Sequence, residues 1–197
     1  MSENTGGVAL RTINVSAELP VIICDLSPIQ AQLDLARQAI EELRITHPQS
    51  PESNVKATYM SPWRSHHLNP KLLPLTESVR AIGHVVSSQL SAHLEALNME
   101  LVVTDCWGII YEQSSYTQKH NHFPSEFSCS IYLEAHEDSA PIIFADKFHV
   151  KPKPNMLVMF PGILVHEVPA TSARRVVVAM NLQKRAVFDS LNKAKEG

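Results

Sequence analysis

The chain has 197 residues, of which 44% are hydrophobic, so it can bury a core within a single domain and is too apolar for a disordered tail. Its formal net charge of -3, with no basic cluster to offset it, argues against nucleic acid as a partner. The longest apolar stretch, Met156 to Val165, is too short for a membrane span and is broken by Pro161 and Gly162.

The first residues, MSENTGGVAL, contain no basic segment followed by an apolar one, and the expected location is cytoplasmic. In SPIQAQLDLARQAIEELRITHP, Ser27 can cap a helix and Pro28 suits its first position. Ile29, Leu33, Ala36, Ile40 and Leu43 then share one face. NVKATYMSPWRSHHLNP reads as a strand followed by a loop, with His66 and His67 in solvent. Trp63 and Arg64 of that loop are candidates for a substrate wall, and packing of Trp63 on the protein is the equal alternative. A second helix is expected over Thr76 to Asn98, with Val79, Ile82, Val86, Leu90, Leu94 and Leu97 as its stripe and Thr76 as its cap.

From Leu101 onward the texture changes to short runs rich in β-branched residues: LVVTDCWGIIYE, FSCSIYLEA, APIIFAD, FHVKP, MLVMF, LVHEV and RRVVVAMNL. Seven or more short strands without intervening helices predict a sandwich or barrel, and hence a mainly-β (α+β) domain whose helices buttress one sheet. One domain spans 1–197, with N-terminal strands and helices over 1–100 and the β core over 101–185. Cys24, Cys106 and Cys129 are odd in number, form no Cys-x-x-Cys pair and lie in apolar runs, which reads as reduced, buried thiols.

Of the ten histidines, His120 and His122 stand apart. Residues two apart in an extended segment project to one face, so both rings can converge on one ion. Downstream, His166 lies between Val165 and Val168 in an apolar run, where it is either a core histidine or a third ligand. In RRVVVAMN, alternation places Arg175, Val177, Ala179 and Asn181 on one face and Arg174, Val176, Val178 and Met180 on the other. One face looks inward, so one arginine is buried. It needs an anion, either an internal Asp or Glu or an anionic ligand beside a metal.

Taken together, Trp107, HNHFPSEFSCSIYL, VKPKPNMLVMFPGILVHEV and RRVVVAMN resemble the iron(II)- and 2-oxoglutarate-dependent oxygenases, in particular small bacterial and phage members with a His-x-His motif. The resemblance covers about Trp107 to Asn181. It implies a double-stranded β-helix, or jelly roll, and Fe(II) bound by His120 and His166. His122 stands where most of the superfamily has a carboxylate. Arg175 matches the residue that pairs with the distal carboxylate of 2-oxoglutarate; Tyr132, in phase with His122 if the strand is unbroken, and Asn181 are further candidates for the co-substrate site. The implied activity couples O2 and decarboxylation of 2-oxoglutarate to oxidation, by default hydroxylation, of a small molecule or protein side chain. A two-fold homodimer is the commonest assembly for such a domain.

Two alternatives stay open. HNHFPSE also has the His-x-His-x3-Glu spacing of cupins, which makes Glu126 a metal ligand in a dioxygenase or isomerase without 2-oxoglutarate. The other is a metal-free jelly-roll binding module with three incidental histidines.

Overall fold

The computed structural model describes residues 11–14, 17–90, 94 and 97–187. Along the chain run β1 (Ile22–Asp25), α1 (Gln30–Thr46), β2 (Val55–Lys56), β3 (Tyr59–Met60), α2 (Ser65–Leu68) and α3 (Leu73–Gln89). There follow β4 (Met99–Tyr111), β5 (Tyr116–His120), β6 (Phe127–Ala135), β7 (Ile142–Phe144), β8 (Phe148–Val150), β9 (Met156–Pro161), β10 (His166–Val168) and β11 (Arg175–Ala186). The strands form a six-stranded sheet in the order β1-β9-β6-β11-β4-β3 and a five-stranded sheet in the order β2-β5-β10-β7-β8. Neighbouring strands are antiparallel throughout. This is the expected jelly-roll arrangement, two sheets facing one another. Strands from residues 22–60 join both sheets, so the β structure extends beyond 101–185.

Two hydrophobic clusters lie on opposite faces of the larger sheet. Val176, Val178, Met180 and Leu182 of β11 pack with Leu33, Ala36, Ile40 and Leu43 of α1 and Leu75 and Val79 of α3. Val177 and Ala179 face the other way, into the space between the sheets, with Trp107, Ile109, Tyr132, Val158, Phe160 and Phe144. The period-two alternation of β11 thus separates helix-packing residues from cavity-lining ones.

The helices differ from expectation at their ends. Ser27 does not cap α1: Asp25 accepts from the Ser27 N–H (2.9 Å) and hydroxyl (2.6 Å), and Ser27–Ile29 form a 3-10 turn before α1 begins. Helix α3 begins at Leu73, with Pro74 in its first turn, and Thr76 lies inside it, donating its hydroxyl to Leu73 O. It ends at Gln89, short of Asn98, and the chain reverses at Asn98 on its way into β4. Asn98 adopts φ 51°, and the Met99 N–H returns to Leu94 O. Leu94 is buried by that reversal, whereas Leu90 and Leu97 of the expected stripe are exposed. His93 lies outside the described residues. His66 is a third correction: it sits on α2 and is buried, because α2 folds onto β4. No helix among the described residues is long and apolar enough to cross a membrane.

Helix α1 lies so near the sheet that β4 needs a glycine beneath it. A Cβ on Gly108 would stand 2.5 Å from Ile40 Cγ1 and 2.9 Å from its Cδ1. Gly108→Ala should therefore cost about 1–3 kcal/mol through overpacking. Ile40→Ala should cost less in the Gly108→Ala background than in the parent, because the two side chains compete for one space. Chemical denaturation of the four proteins in the cycle reads both effects, and additive penalties would refute the contact.

Candidate metal centre

His120 closes β5 and His166 opens β10, and the antiparallel register pairs the two directly. Cross-strand pairing therefore sets two residues far apart in sequence side by side, with ring centroids 4.3 Å apart. His122 lies beyond the end of β5, held by a backbone clamp. Its N–H donates to Gly162 O (2.7 Å), and the Gly162 N–H donates to Glu126 O (3.1 Å). Gly162 suits this clamp because a Cβ there would stand 2.1 Å from Ser125 O. The His122 ring comes to 4.8 Å from the His120 ring and 5.1 Å from the His166 ring. One ligand atom from each of the three lies within 4.8 Å of the others.

The hydrogen bonds assign the free ring atoms. His120 Nδ1 lies 2.8 Å from Gln118 O and His166 Nδ1 lies 3.0 Å from Leu164 O. A carbonyl oxygen only accepts, so Nδ1 carries the proton in each neutral ring and Nε2 keeps its lone pair for a metal. Phe160 packs 4.6 Å from His166, and Phe144 and Trp107 complete an apolar surround. Burial, reinforced by the neighbouring imidazoles, depresses the His122 pKa to about 3 and that of His166 to about 4. Burial also lowers that of His120, against the opposing pull of the Gln118 carbonyl. Three neutral imidazoles of this kind suit zinc, copper, iron or nickel.

Further along the same interior face of β11 is Arg175, 1% exposed, its guanidinium carbon 4.0 Å from the centre of the Tyr111 ring. Nη1 donates to Ala140 O (2.8 Å), and Nε is buried with no partner. No carboxylate pairs with Arg175 among the described residues, so the internal Asp or Glu is absent there. Arg174, on the other face, is surrounded by Glu41, Glu112 and Glu134. Tyr132 is buried on β6, and burial pushes its phenol up to about 12. It does face the interior, but not along one strand with His122: β5 ends at His120, and β6 begins at Phe127. Asn181 lies nearer the opposite end of the β11 face from Arg175, its Nδ2 donating to Asp105 Oδ2 at 3.4 Å.

Glu126 is not brought to the histidines. Its carboxylate pairs with Lys184 Nζ at 2.8 Å, and its backbone N–H and C=O are both bonded across the sheet. Trp63 packs edge-on against Trp107 with ring centroids 4.8 Å apart, and is itself 38% exposed. The roles of Gly162 and of the Trp107 indole were not assigned from sequence. The Pro-Gly turn was visible there, but the partner loop that it admits was not.

No protein-family profile and no curated protein matches the chain. Solved structures do. A prolyl-4-hydroxylase from Pseudomonas putida is 15% identical, with 84% of this chain and 92% of that one covered and a TM-score of 0.58. The carbocyclase SnoK of nogalamycin biosynthesis, described as non-heme and alpha-ketoglutarate-dependent, is 11% identical over 89% and 86%, with a TM-score of 0.65. HygX from Streptomyces hygroscopicus, solved with nickel and 2-oxoglutarate, is 11% identical over 83% and 82%, with a TM-score of 0.54. The protein is thus a jelly roll with a three-histidine cluster between its sheets. More narrowly, its fold is the double-stranded β-helix of the 2-oxoglutarate- and iron-dependent oxygenases.

Metal content distinguishes the candidate ligands. His120→Ala and His166→Ala should each abolish tight binding of one divalent ion per chain, and Glu126→Ala should leave it intact. Equal metal loss in Glu126→Ala and His122→Ala, measured by elemental analysis, would restore the cupin arrangement.

The depressed pKa values carry a sign. Above about pH 6.5 the imidazoles are neutral in both the folded and unfolded chain and make no difference to stability. As the pH falls through 6.5 the unfolded chain takes up protons that the buried rings refuse, so the metal-free fold should lose stability between 6.5 and about 4 to 3. Zn(II) affinity should instead stay nearly level as the pH falls through 6.5, where exposed histidines already lose theirs. A chelator-competition series across pH checks this, and a steep loss of affinity centred at 6.5 would contradict it.

Proposed function

We propose that this protein is a 2-oxoglutarate-dependent non-haem Fe(II) oxygenase, with His120, His122 and His166 as metal ligands and Arg175 as the anchor of the co-substrate. The observation that carries the reading is the pairing, in one interior, of a neutral three-imidazole cluster and a buried arginine without a carboxylate partner among the described residues. A buried, uncompensated cation is costly, and an anion supplied by a ligand removes that cost. Both residue sets fit the groups they would hold: the Nε2 lone pairs of His120 and His166 are free, and the Arg175 Nε–H is orphaned. The nickel and 2-oxoglutarate of HygX support the same pairing by fold analogy.

When bound, Fe(II) and 2-oxoglutarate supply O2 activation coupled to decarboxylation, giving succinate and CO2 and oxidising a substrate, by default through hydroxylation. The chain's own contribution is positional. His120 and His166 are oriented by the Gln118 and Leu164 carbonyls, so their lone pairs need no reorganisation to bind. The three neutral imidazoles offset none of a divalent ion's charge, which favours a dianionic co-substrate beside them. Arg175 packs over Tyr111 and is tethered by Ala140, leaving the rest of its planar fork for a carboxylate. Tyr132, with its phenol kept protonated by burial, is available there as a donor. Phe160, Phe144 and Trp107 keep the surround apolar, which strengthens each charge interaction inside it.

The Fe(II)-loaded protein should release succinate from 2-oxoglutarate slowly even without a prime substrate. Arg175→Ala should weaken 2-oxoglutarate binding by about 30-fold to several thousand-fold, since truncating one side of a desolvated charge pair costs about 2–5 kcal/mol. Fe(II) binding should be spared. Arg174→Ala should change little, and Arg175→Lys should rescue only in part, because an ammonium lacks the fork. Anaerobic titration of 2-oxoglutarate into the Fe(II) protein measures all three, and equal affinity in Arg175→Ala and the parent would overturn the assignment.

A further inference from the structure

Two buried polar atoms on the interior face, the Trp107 indole Nε1–H and the Asn181 side-chain Oδ1, have no partner among the described residues and no part in holding the metal or co-substrate. Their neighbours settle their chemistry. An indole nitrogen only donates. The Asn181 amide is oriented by Asp105, whose carboxylate accepts from Nδ2, so the remaining atom is the carbonyl oxygen, an acceptor. The register places the two together. Trp107 pairs with Ala179, and Asn181 pairs with Asp105, which makes Trp107 and Asn181 diagonal neighbours on one wall, about 7–8 Å apart at the backbone. Trp107 also lies beside the metal cluster, its ring centroid 6.2 Å from that of His122.

A single wall offering one donor and one acceptor calls for a ligand that presents an acceptor and a donor along one edge. A residue of an extended peptide does this with its own C=O and N–H, as in an antiparallel ladder, and a primary amide does it with one group. Apolar side chains flank the wall, and the carboxylate bonded to it, Asp105, is already engaged by Asn181 Nδ2 and lies 3.9 Å from Arg64 Nε. Phe123, next to His122, and Ile163, next to Gly162, are both largely exposed, as is much of Trp63. We infer that Trp107 and Asn181 hold the prime substrate by an amide edge, the indole donating to its C=O and the Asn181 oxygen accepting from its N–H, with apolar substituents against Trp63, Phe123 and Ile163. This rests on the oxygenase reading for the place where substrate sits, and it moves Asn181 from the co-substrate to the substrate. Both polar atoms are closed to solvent, and Trp63 is the exposed ring packed on Trp107, so the ligand reaches them as Trp63 turns outward.

The chain's two tryptophans, Trp63 and Trp107, are both at this place, so intrinsic fluorescence reports on it directly. The test uses the full chain loaded with Zn(II), without 2-oxoglutarate, so that no turnover is needed. One pair of probes is N-acetyl-leucine N-methylamide and its analogue with the leucine N–H replaced by an ester oxygen; the other is benzamide and methyl benzoate. The amide member of at least one pair should bind saturably and on the order of tenfold more tightly than its ester, the scale of one lost hydrogen bond in a buried site. Preference within the peptide pair identifies a peptide substrate, and preference within the benzamide pair alone a small amide. Asn181→Ala should erase the preference, whereas Trp107→Phe, which keeps a ring and removes the N–H, should weaken both members of the pair alike, read from Trp63. No amide preference in either pair, no saturable binding at all, a preference that survives Asn181→Ala, or undiminished binding of both probes by Trp107→Phe would overturn the inference. The oxygenase reading stands or falls separately, on metal loss in the histidine variants and on 2-oxoglutarate binding by Arg175.

Discussion

Strand β11 runs between β4 and β6 through the middle of the larger sheet, and its alternation organises everything on either side. Val176, Val178, Met180 and Leu182 face the helices; Arg175, Val177, Ala179 and Asn181 face the cavity. A slip of one residue would exchange the two sets, placing an arginine under α1 and a row of apolar side chains in the site. Register is therefore the quantity on which both the core and the chemistry depend. The helices help to enforce it: Ile40 of α1 sits over Gly108, which pairs with Val178, so the helix docks in one position along the sheet.

The histidine cluster is built by the second sheet and the turns at its edge. Pairing of His120 with His166 brings two imidazoles together, while the third arrives on a loop held by the backbone bonds of Gly162 to His122 and Glu126. These devices differ in stiffness. Two imidazoles are fixed by a β ladder and by their own backbone carbonyls, whereas His122 has no hydrogen bond to its ring among the described residues. The interior holds neutral imidazoles at one station and a guanidinium at another, with no carboxylate paired to the guanidinium among the described residues. Such an interior favours an anion that spans both stations, which is the physical content of the functional proposal.

Much of this was legible from residue patterns. The strand FSCSIYLEA coincides with β6, the two faces of RRVVVAMN are assigned correctly, and the three histidines singled out by spacing converge. Alternation is a local property, so it survives reading without a structure. The misreadings share a cause. The apolar stripe that predicts a helix over Thr76 to Asn98 continues through Leu94, but α3 ends at Gln89, and Leu94 O accepts from the Met99 N–H as the chain enters β4. His66 looked like loop and is buried by the packing of α2 on β4. Tyr132 faces the interior from β6, across a break in the strand after His120 that the residue pattern does not show.

By itself, then, the sequence determined the alternating strands, the inward arginine and the candidate ligands, because these follow from period-two geometry and from the chemistry of imidazole and guanidinium. Tertiary structure decided what those groups meet. Whether Glu126 joins the histidines or Lys184, whether Arg175 has an internal carboxylate, and which buried polar atoms stay unpaired all depend on contacts between strands distant in the chain. Such contacts are set by register and by close approaches such as those at Gly108 and Gly162, and no local pattern encodes them.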